Sequence, residues 1–281
     1  MDACAAGARA LTARRRARLG AALGDLLRLL DRRHARVARE NMRLVFGDRR
    51  SAADVDAMVA GCFRHFATAA LDLFALDESA EAAARRIPVD GAEHAAAALA
   101  RGRGLLFFSA HYGMWELAAL VGGLRFPVAL VARPLDNPRL DARLARVRTR
   151  WGNEVIPKRG AVGAVLRRLR RGGAVALLID QRPKHVGLVM PFLGRDAHVR
   201  PTLAVLALRT GAPIVPVQCR REPDGSWRVV FEPEVPVTRT GDDEADARAG
   251  MAACNARLEQ WILQAPEQWL WTPARGKEPR R

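Results

Sequence analysis

The sequence predicts an α/β fold: a mostly parallel central sheet flanked by helices, with a helical N-terminal part. Two observations lead to this prediction. From about residue 88 onward, short apolar runs alternate with helical patterns, as expected when strands and helices take turns along a chain. The runs are apolar at nearly every position, which is typical of strands buried on both faces of a parallel sheet.

The predicted strands and helices alternate along the chain. The predicted strands are 104–110, 127–133, 174–180, 213–220 and 227–235. The predicted helices between and after them are 114–124, 137–151, 161–171, 201–210 and about 243–264. Because there is no internal repeat and no low-complexity linker, we expect one continuous domain whose α/β core comprises residues 87–281.

Residues 1–86 show helical patterns and are basic, since thirteen arginines stand against five acids in residues 1–50 alone. Leucines recur at helical spacing in an apolar stripe: Leu19, Leu23, Leu26, Leu27 and Leu30. The stripe fits either a helix packed on the core or a helix lying on an anionic membrane, apolar side down. We expect this part to face a membrane.

Residues 104–124 are apolar enough and long enough to be considered as a membrane span. Glu116 would then lie near the middle of the bilayer, which is costly, and the composition changes halfway along. A strand, a turn and a helix are the better interpretation. The first 25 residues contain no apolar run typical of a signal peptide, so we expect no export.

The net charge is strongly positive, at +16 from 46 Lys+Arg and 30 Asp+Glu. Such a charge favours an anionic partner: nucleic acid, a phospholipid surface or an acidic protein. A basic nucleic-acid-binding protein is the alternative from another class, but no helix-turn-helix, finger or aromatic RNA-binding motif is present, so we expect no nucleic acid. The four cysteines are scattered without a CxxC pair, and no metal site is expected.

His111 and Glu116 come just after the predicted strand 104–110, where open α/β sheets bind their ligands. Gly113 lies between them and allows a tight turn, so both side chains can face one pocket. A neutral imidazole beside a carboxylate is a good general base, because the acid fixes its tautomer and stabilises the imidazolium. The absence of G-x-S-x-G, P-loop and G-x-G-x-x-G motifs disfavours α/β-hydrolases, P-loop kinases and dinucleotide enzymes.

The segment H-Y-G-M-W-E, from His111 to Glu116, resembles the H-x4-D/E box of glycerolipid acyltransferases. Further segments resemble, in order, motifs of the lipid A late acyltransferases, the lauroyl and myristoyl transferases. These segments are A-R-P-L-D-N-P with Arg133 and Asn137, R-V-R-T-R-W-G-N from Arg146 to Asn153, I-D-Q-R with Asp180, M-P-F-L-G with Pro191 and Gly194, and A-P-E-Q-W-L-W from Ala265 to Trp271. The resemblance spans roughly residues 12–273.

This resemblance implies an enzyme that moves a fatty acyl group to a hydroxyl of a lipid A precursor. The donor would be an acyl thioester of acyl carrier protein or coenzyme A, used as co-substrate with no cofactor. A related acyltransferase acting on another lysophospholipid or glycolipid is the alternative. His111 would be the general base and Glu116 its partner.

The resemblance also assigns roles to residues outside the His111 box. Arg148 and Asp180 match positions needed for activity. Arg148 would hold either the donor's phosphopantetheine or the charge of the transition state, and Asp180 would pair with an arginine. The remaining matched residues would support the pocket: Arg133, Asn137, Gly113, Pro191 and Gly194.

Attachment to the membrane follows from a departure from the family pattern. Members of the family usually begin with a membrane-spanning helix, whereas this chain has only the short 19–30 segment in its place. We therefore expect peripheral binding at the cytoplasmic face of the bacterial inner membrane. The basic runs 167–171 and 220–221 fit acyl carrier protein, anionic headgroups or solvated helix ends. Trp261, Trp269 and Trp271 fit either interfacial anchors or buried aromatics.

Overall fold

The structure is a computed structural model that describes residues 2–75, 85, 87–149, 152–181 and 187–272. It confirms the predicted α/β fold, with a helical N-terminal part followed by alternating strands and helices. Parts of the predicted helical N-terminal region (76–84 and 86), the end of the helix predicted at 137–151, and residues 273–281 of the predicted core lie outside the described residues.

The helices agree with the predicted pattern to within a few residues, except that α5 was not predicted. They are α1 Asp2–Ala10, α2 Ala13–Leu30, α3 Arg32–Phe46, α4 Ala52–Ala75, α5 Ala92–Leu99, α6 Trp115–Gly123, α7 Pro138–Thr149, α8 Ala161–Arg170, α9 Thr202–Thr210 and α10 Asp243–Gln264. A short 3₁₀ helix, Pro266–Gln268, follows α10.

In the part of the chain that the structure describes, the central sheet has seven strands in the order β1-β9-β8-β2-β5-β3-β4. The strands are β1 Val89–Asp90, β2 Leu105–Ser109, β3 Val128–Ala132, β4 Glu154–Pro157, β5 Ala174–Leu178, β8 Ile214–Arg221 and β9 Trp227–Phe231, with β6 Leu188–Phe192 and β7 Arg195–Val199 forming a separate antiparallel pair. Within the sheet only the β8–β9 pair is antiparallel. The prediction of a mostly parallel sheet is therefore confirmed.

All five predicted strands are present, and the strands that were not predicted are short or lie at edges. β1 has only two residues. β4 is an edge strand of the sheet and contains a glutamate and a proline. The β6–β7 hairpin turns through Leu193 and Gly194, both at positive φ. β1, β4 and β7 lack the continuous apolar run from which the buried strands were predicted. β6, L-V-M-P-F, has such a run and was missed.

Strand β2 is the centre of the core, and all five of its residues are buried. Successive side chains point to opposite faces of the sheet, so β2 contributes to two apolar layers. Leu106 and Phe108 pack with Trp261 and other side chains on one face. Leu105 and Phe107 belong to the layer on the other face, which includes residues of α5 and α6.

Residues 104–124, considered above as a membrane span, divide into strand β2 and helix α6. Within the described residues, every helix is either too short or too polar to cross a bilayer.

Helix α2 packs against α4 through glycines rather than through its leucines. Gly20 and Gly24 are buried, and a Cβ at Gly24 would lie 2.5 Å from Arg64 Cα. The leucine stripe at positions 19, 23, 26, 27 and 30 points away and is 36–71% exposed. Of the two interpretations of this stripe, packing on the core is therefore wrong for the leucines of α2.

The close contact at Gly24 predicts that Gly24→Ala destabilises the protein. The added methyl group would meet the backbone of α4, so the free energy of unfolding is expected to fall by about 1–3 kcal/mol. Gly163→Ala in α8 is the matched control: its Cβ would meet nothing closer than Arg167 Nη1 at 3.6 Å, and a gain of about 0.5–1 kcal/mol is expected. Equal denaturation midpoints for the two variants would contradict the packing described here.

Candidate active site

Candidate catalytic residues gather at the carboxyl edge of three neighbouring parallel strands, β2, β5 and β3. Ser109 of β2 is paired in register with Leu178 of β5. His111 and Asp180 each follow two residues later, so the parallel register brings them side by side. Arg133 directly follows β3 at the same edge. This is the edge at which open α/β sheets bind ligands.

The imidazole of His111 is held by the carboxylate of Asp180. His111 Nδ1 lies 2.8 Å from Asp180 Oδ1, and the backbone N–H of His111 donates to Oδ2 at 3.0 Å. The Asp180 side chain is fully buried, whereas that of His111 keeps 17% exposure. The sequence analysis expected Asp180 to pair with an arginine; the described contact of its carboxylate that bears on catalysis is with the proposed base.

A second contact orients the outer nitrogen of His111. Lys158 Nζ donates to Gln181 Oε1 at 3.3 Å, which leaves the Gln181 amide N–H₂ facing His111 Nε2 at 3.4 Å. An amide N–H₂ can only donate, so Nε2 carries the lone pair and Nδ1–H donates to Asp180. This tautomer is the one that a general base requires.

Glu116 makes no hydrogen bond to His111, and the prediction that it orients the imidazole is wrong. Its Oε2 accepts from Arg148 Nε at 2.8 Å, and its Oε1 accepts from Arg148 Nη2 and, at 3.1 Å, from the Trp115 indole. Glu116 is in the first turn of α6 and Arg148 near the end of α7, so this bidentate pair ties two helices together.

The ion pair stays charged although it is largely buried. Burial alone would lower the pKa of the Arg148 guanidinium, but the hydrogen bonds and the charge of Glu116 outweigh burial, so the pKa lies above its ordinary value. Arg148 Nη1 makes no hydrogen bond within the described part of the chain. A fixed guanidinium with donors to spare can bind an anionic oxygen.

Gly113 and Asn137 support the site through the backbone. Gly113 has φ +59°, and a Cβ there would lie 1.8 Å from the carbonyl oxygen of Cys219, so the turn after His111 requires glycine. Asn137 Oδ1 accepts from the N–H groups of Arg139 and Leu140 at 3.0 and 3.2 Å. Asn137 therefore stabilises the start of α7, the helix that carries Arg148.

A cavity of about 630 Å³ opens beside His111, and Glu116, Arg133 and Arg148 also line it. Most of its wall is apolar. The apolar lining includes Phe107, Ala118, Gly122, Phe126, Leu130, Ala176, Val217 and Phe231. A base and a guanidinium in the wall of a largely apolar cavity can deprotonate a hydroxyl and stabilise an anion on a substrate with a hydrocarbon chain.

Basic side chains also line this cavity. Arg133 is exposed and forms an ion pair with Asp136 at 2.8 Å, while Arg143 lies over the ring of Phe74. Burial and the charges of Arg200 and Arg133 lower the pKa of Lys158 from its ordinary value. Cations at this position favour a substrate that carries phosphate.

The structure does not bring every predicted residue to the cavity. Pro191 and Gly194 lie in the β6–β7 hairpin and are not among the residues that line it. The three C-terminal tryptophans are buried, at 2% exposure or less, so the interpretation of Trp261, Trp269 and Trp271 as interfacial anchors is wrong.

Several residues of the site were not singled out in the sequence. Gln181 directly follows Asp180, and Lys158 is one of only three lysines, but neither fact assigns a contact to His111. The Ser109 hydroxyl, beside the same cavity, is buried and has no hydrogen-bond partner among the residues that the structure describes. Burial raises the pKa of the Cys62 and Cys254 thiols to about 12, which disfavours either as a nucleophile. The described residues contain no cluster of potential metal ligands.

Comparison with known proteins identifies the class of the protein. Residues 3–277 match a family described as bacterial lipid A biosynthesis acyltransferase. The activity carried by this family is acyl transfer, and the protein is accordingly an acyltransferase. The chain belongs to the bacterial lipid A biosynthesis acyltransferase family.

Individual relatives differ in the lipid they are named for. The chain is 30% identical to the lipid A biosynthesis lauroyltransferase of Escherichia coli K12 over 264 residues, which covers 92% of this chain and 84% of the relative. It is 29% identical to the palmitoleoyltransferase of the same bacterium, with the same coverage of both chains. A phosphatidylinositol mannoside acyltransferase of Mycolicibacterium smegmatis is 29% identical over 63% of this chain and 60% of its own length.

Proposed function

We propose that this acyltransferase moves a fatty acyl group from a thioester of acyl carrier protein or coenzyme A to a hydroxyl of a lipid A precursor. The observation that supports it best is the hydrogen-bonded pair His111–Asp180 beside a large apolar cavity. Asp180 holds the Nδ1–H tautomer, and the lone pair of Nε2 is the base. The names of the two relatives from Escherichia coli favour a lipid A precursor as the acceptor.

The reaction needs one proton carrier and no covalent enzyme intermediate. His111 Nε2 takes the proton of the acceptor hydroxyl as the oxygen attacks the thioester carbonyl. The new C–O bond forms, the C–S bond breaks, and the imidazolium returns the proton to the leaving thiolate. The negative charge of Asp180 stabilises the imidazolium between these two steps.

Two sets of cations are available for negative charge on the substrates. Glu116 fixes the guanidinium of Arg148, so Arg148 can stabilise the oxyanion of the tetrahedral intermediate without having to move. Arg133 and Lys158, which also line the cavity, bind the phosphate of the phosphopantetheine arm of the donor.

We predict that His111→Ala lowers acyl transfer at least about 10²-fold, because the general base is lost. Transfer is measured with lauroyl-acyl carrier protein and a lipid A precursor. The control is His94→Ala, since His94 lies on α5 and does not line the large cavity or the smaller one that Asp180 and Gln181 share.

Deleting the gene should remove one secondary acyl chain from lipid A in mass spectra. Of the two variant genes, only the one encoding His94→Ala should restore it. An unchanged lipid A would favour another glycolipid acceptor, as in the mycobacterial relative.

The apolar cavity provides the space for the acyl chain of the donor. Gly122 lies six residues after Glu116 on α6, which is roughly 9 Å further along the helix axis. Three phenylalanines surround this part of the cavity: the ring of Phe231 lies 5.6 Å from that of Phe107 and 5.7 Å from that of Phe126. A Cβ on Gly122 would meet Phe231 at 3.4 Å, so the cavity is narrow here.

Gly122→Ala is therefore expected to shorten the preferred acyl chain. The added methyl group occupies space that the end of the longest chain would fill, and each methylene that loses its site costs about fourfold in kcat/KM. The measurement compares acyl donors that differ by two carbons, with Gly163→Ala as the matched control. An unchanged chain-length profile would show that the acyl chain lies elsewhere.

The exposed leucine stripe of α2 gives the protein a surface that can lie on a membrane. Its apolar side chains point outward, and Arg28, Arg32, Arg33 and Arg36 are close in sequence. Apolar side chains can enter the interfacial region of a bilayer while arginines attract anionic headgroups. We propose that α2 attaches the enzyme peripherally to the cytoplasmic face of the inner membrane.

The double variant Leu27→Ser/Leu30→Ser should bind anionic vesicles roughly tenfold more weakly, because two inserted side chains are lost. Raising salt to about 0.5 M should release most of the wild-type protein, since screening removes the attraction of the arginines. Co-sedimentation with phosphatidylglycerol vesicles measures both effects. Val162→Ser, which removes an exposed apolar side chain from α8, is the control. Equal binding of the double variant and the control would contradict attachment through α2.

A further inference from the structure

The segment 265–271, A-P-E-Q-W-L-W, runs across the loop that carries His111. The N–H of Gly113 donates to the carbonyl oxygen of Gln268 at 2.8 Å. The N–H of Leu270 donates to the carbonyl oxygen of His111 at 2.9 Å. Tyr112 and Trp269 form a single antiparallel bridge between the two segments. The backbone of the catalytic loop is therefore held on both sides of Tyr112 by the 265–271 segment.

Trp269 of this segment reaches the carboxylate that holds the base. Its indole Nε1–H donates to Asp180 Oδ2 at 3.0 Å, the same oxygen that accepts the backbone N–H of His111. The indole is fully buried and packs against Phe192 and Trp271, with ring centroids 5.8 and 4.7 Å away. A buried hydrogen bond between an N–H and a carboxylate is strong and directional.

We propose that Trp269 is a positioning residue for the catalytic base, acting through Asp180. Its N–H fixes the plane of the carboxylate so that Oδ1 faces His111 Nδ1, and it withdraws part of the negative charge from the imidazole. This inference rests on the proposed role of His111 as the general base. It gives the A-P-E-Q-W-L-W segment a part in catalysis in addition to its place in the core.

The indole donor reduces the negative charge that Asp180 presents to the imidazole of His111. Without the indole donor, the carboxylate attracts the proton of the imidazolium more strongly, so a higher pH is needed to free Nε2. Within the described residues, the other charged groups that line the cavity with His111 are Glu116 paired with Arg148, Arg133 paired with Asp136, Arg143 and Lys158. None of them contacts Trp269 in the described structure, so changing the indole leaves them in place.

Trp269→Phe tests the proposal, because it keeps an aromatic ring and removes the N–H. Transfer from lauroyl-acyl carrier protein to a lipid A precursor is measured as a function of pH. We expect kcat to fall roughly tenfold with KM within about twofold. The acidic limb of the pH profile should move to higher pH.

Trp271→Phe is the matched control. Trp271 is equally buried in the same segment, but its indole donates to the carbonyl oxygen of Pro266 at 2.6 Å and not to Asp180. Thermal unfolding is measured for both variants. A purely structural role for Trp269 predicts that both variants lose stability and leave the acidic limb unmoved, and that result would overturn the proposal.

Two further outcomes distinguish a failure of the Trp269 proposal from a failure of the proposed function of His111. Transfer that survives His111→Ala would refute the proposed function itself. If His111→Ala abolishes transfer but Trp269→Phe has the pH profile of the wild type, only the role of Trp269 is refuted. If Trp269→Phe does not fold, benzothienylalanine at position 269 keeps the shape of the indole without its N–H, and the same shift of the acidic limb is expected.

Discussion

The site depends on one buried carboxylate. Asp180 accepts the ring and the backbone N–H of His111 and the indole N–H of Trp269, so three chain segments converge on two oxygens. A buried carboxylate without such donors would be too costly to keep charged. The same contacts that make the charge tolerable also orient the imidazole. The proposed role of His111 therefore depends on the same three hydrogen bonds that stabilise this carboxylate.

The two carboxylates next to the cavity have separate partners. Asp180 lies behind the imidazole, and Glu116 holds the guanidinium of Arg148. This arrangement keeps a negative charge next to His111 and a positive charge at the cavity. In the proposed reaction an imidazolium and an oxyanion form together, and each finds the opposite charge already in place.

The sequence was sufficient for the fold class and the position of His111, because buried parallel strands leave continuous apolar runs that end at the ligand-binding edge. It was not sufficient to identify the carboxylate that pairs with the imidazole of His111. The spacing pointed to Glu116, five residues away, whereas Asp180 is 69 residues away and adjacent only because β2 and β5 are neighbours. Strand order is a property of the whole sheet. The indole contact of Trp269 depends in the same way on a packed tertiary structure.

The order of the strands also affects how the protein acquires its activity. β2 pairs with β5 and β8, which follow it by many tens of residues, and β1 pairs with β9 near the end of the sheet. Parallel pairing between distant segments is intrinsically slow, because long loops must close before any contact is gained. The helices of residues 2–75 pack largely on one another, over shorter sequence separations than those between β2 and its partners, and can form earlier. During refolding, the return of enzymatic turnover should therefore lag behind the recovery of helical circular dichroism.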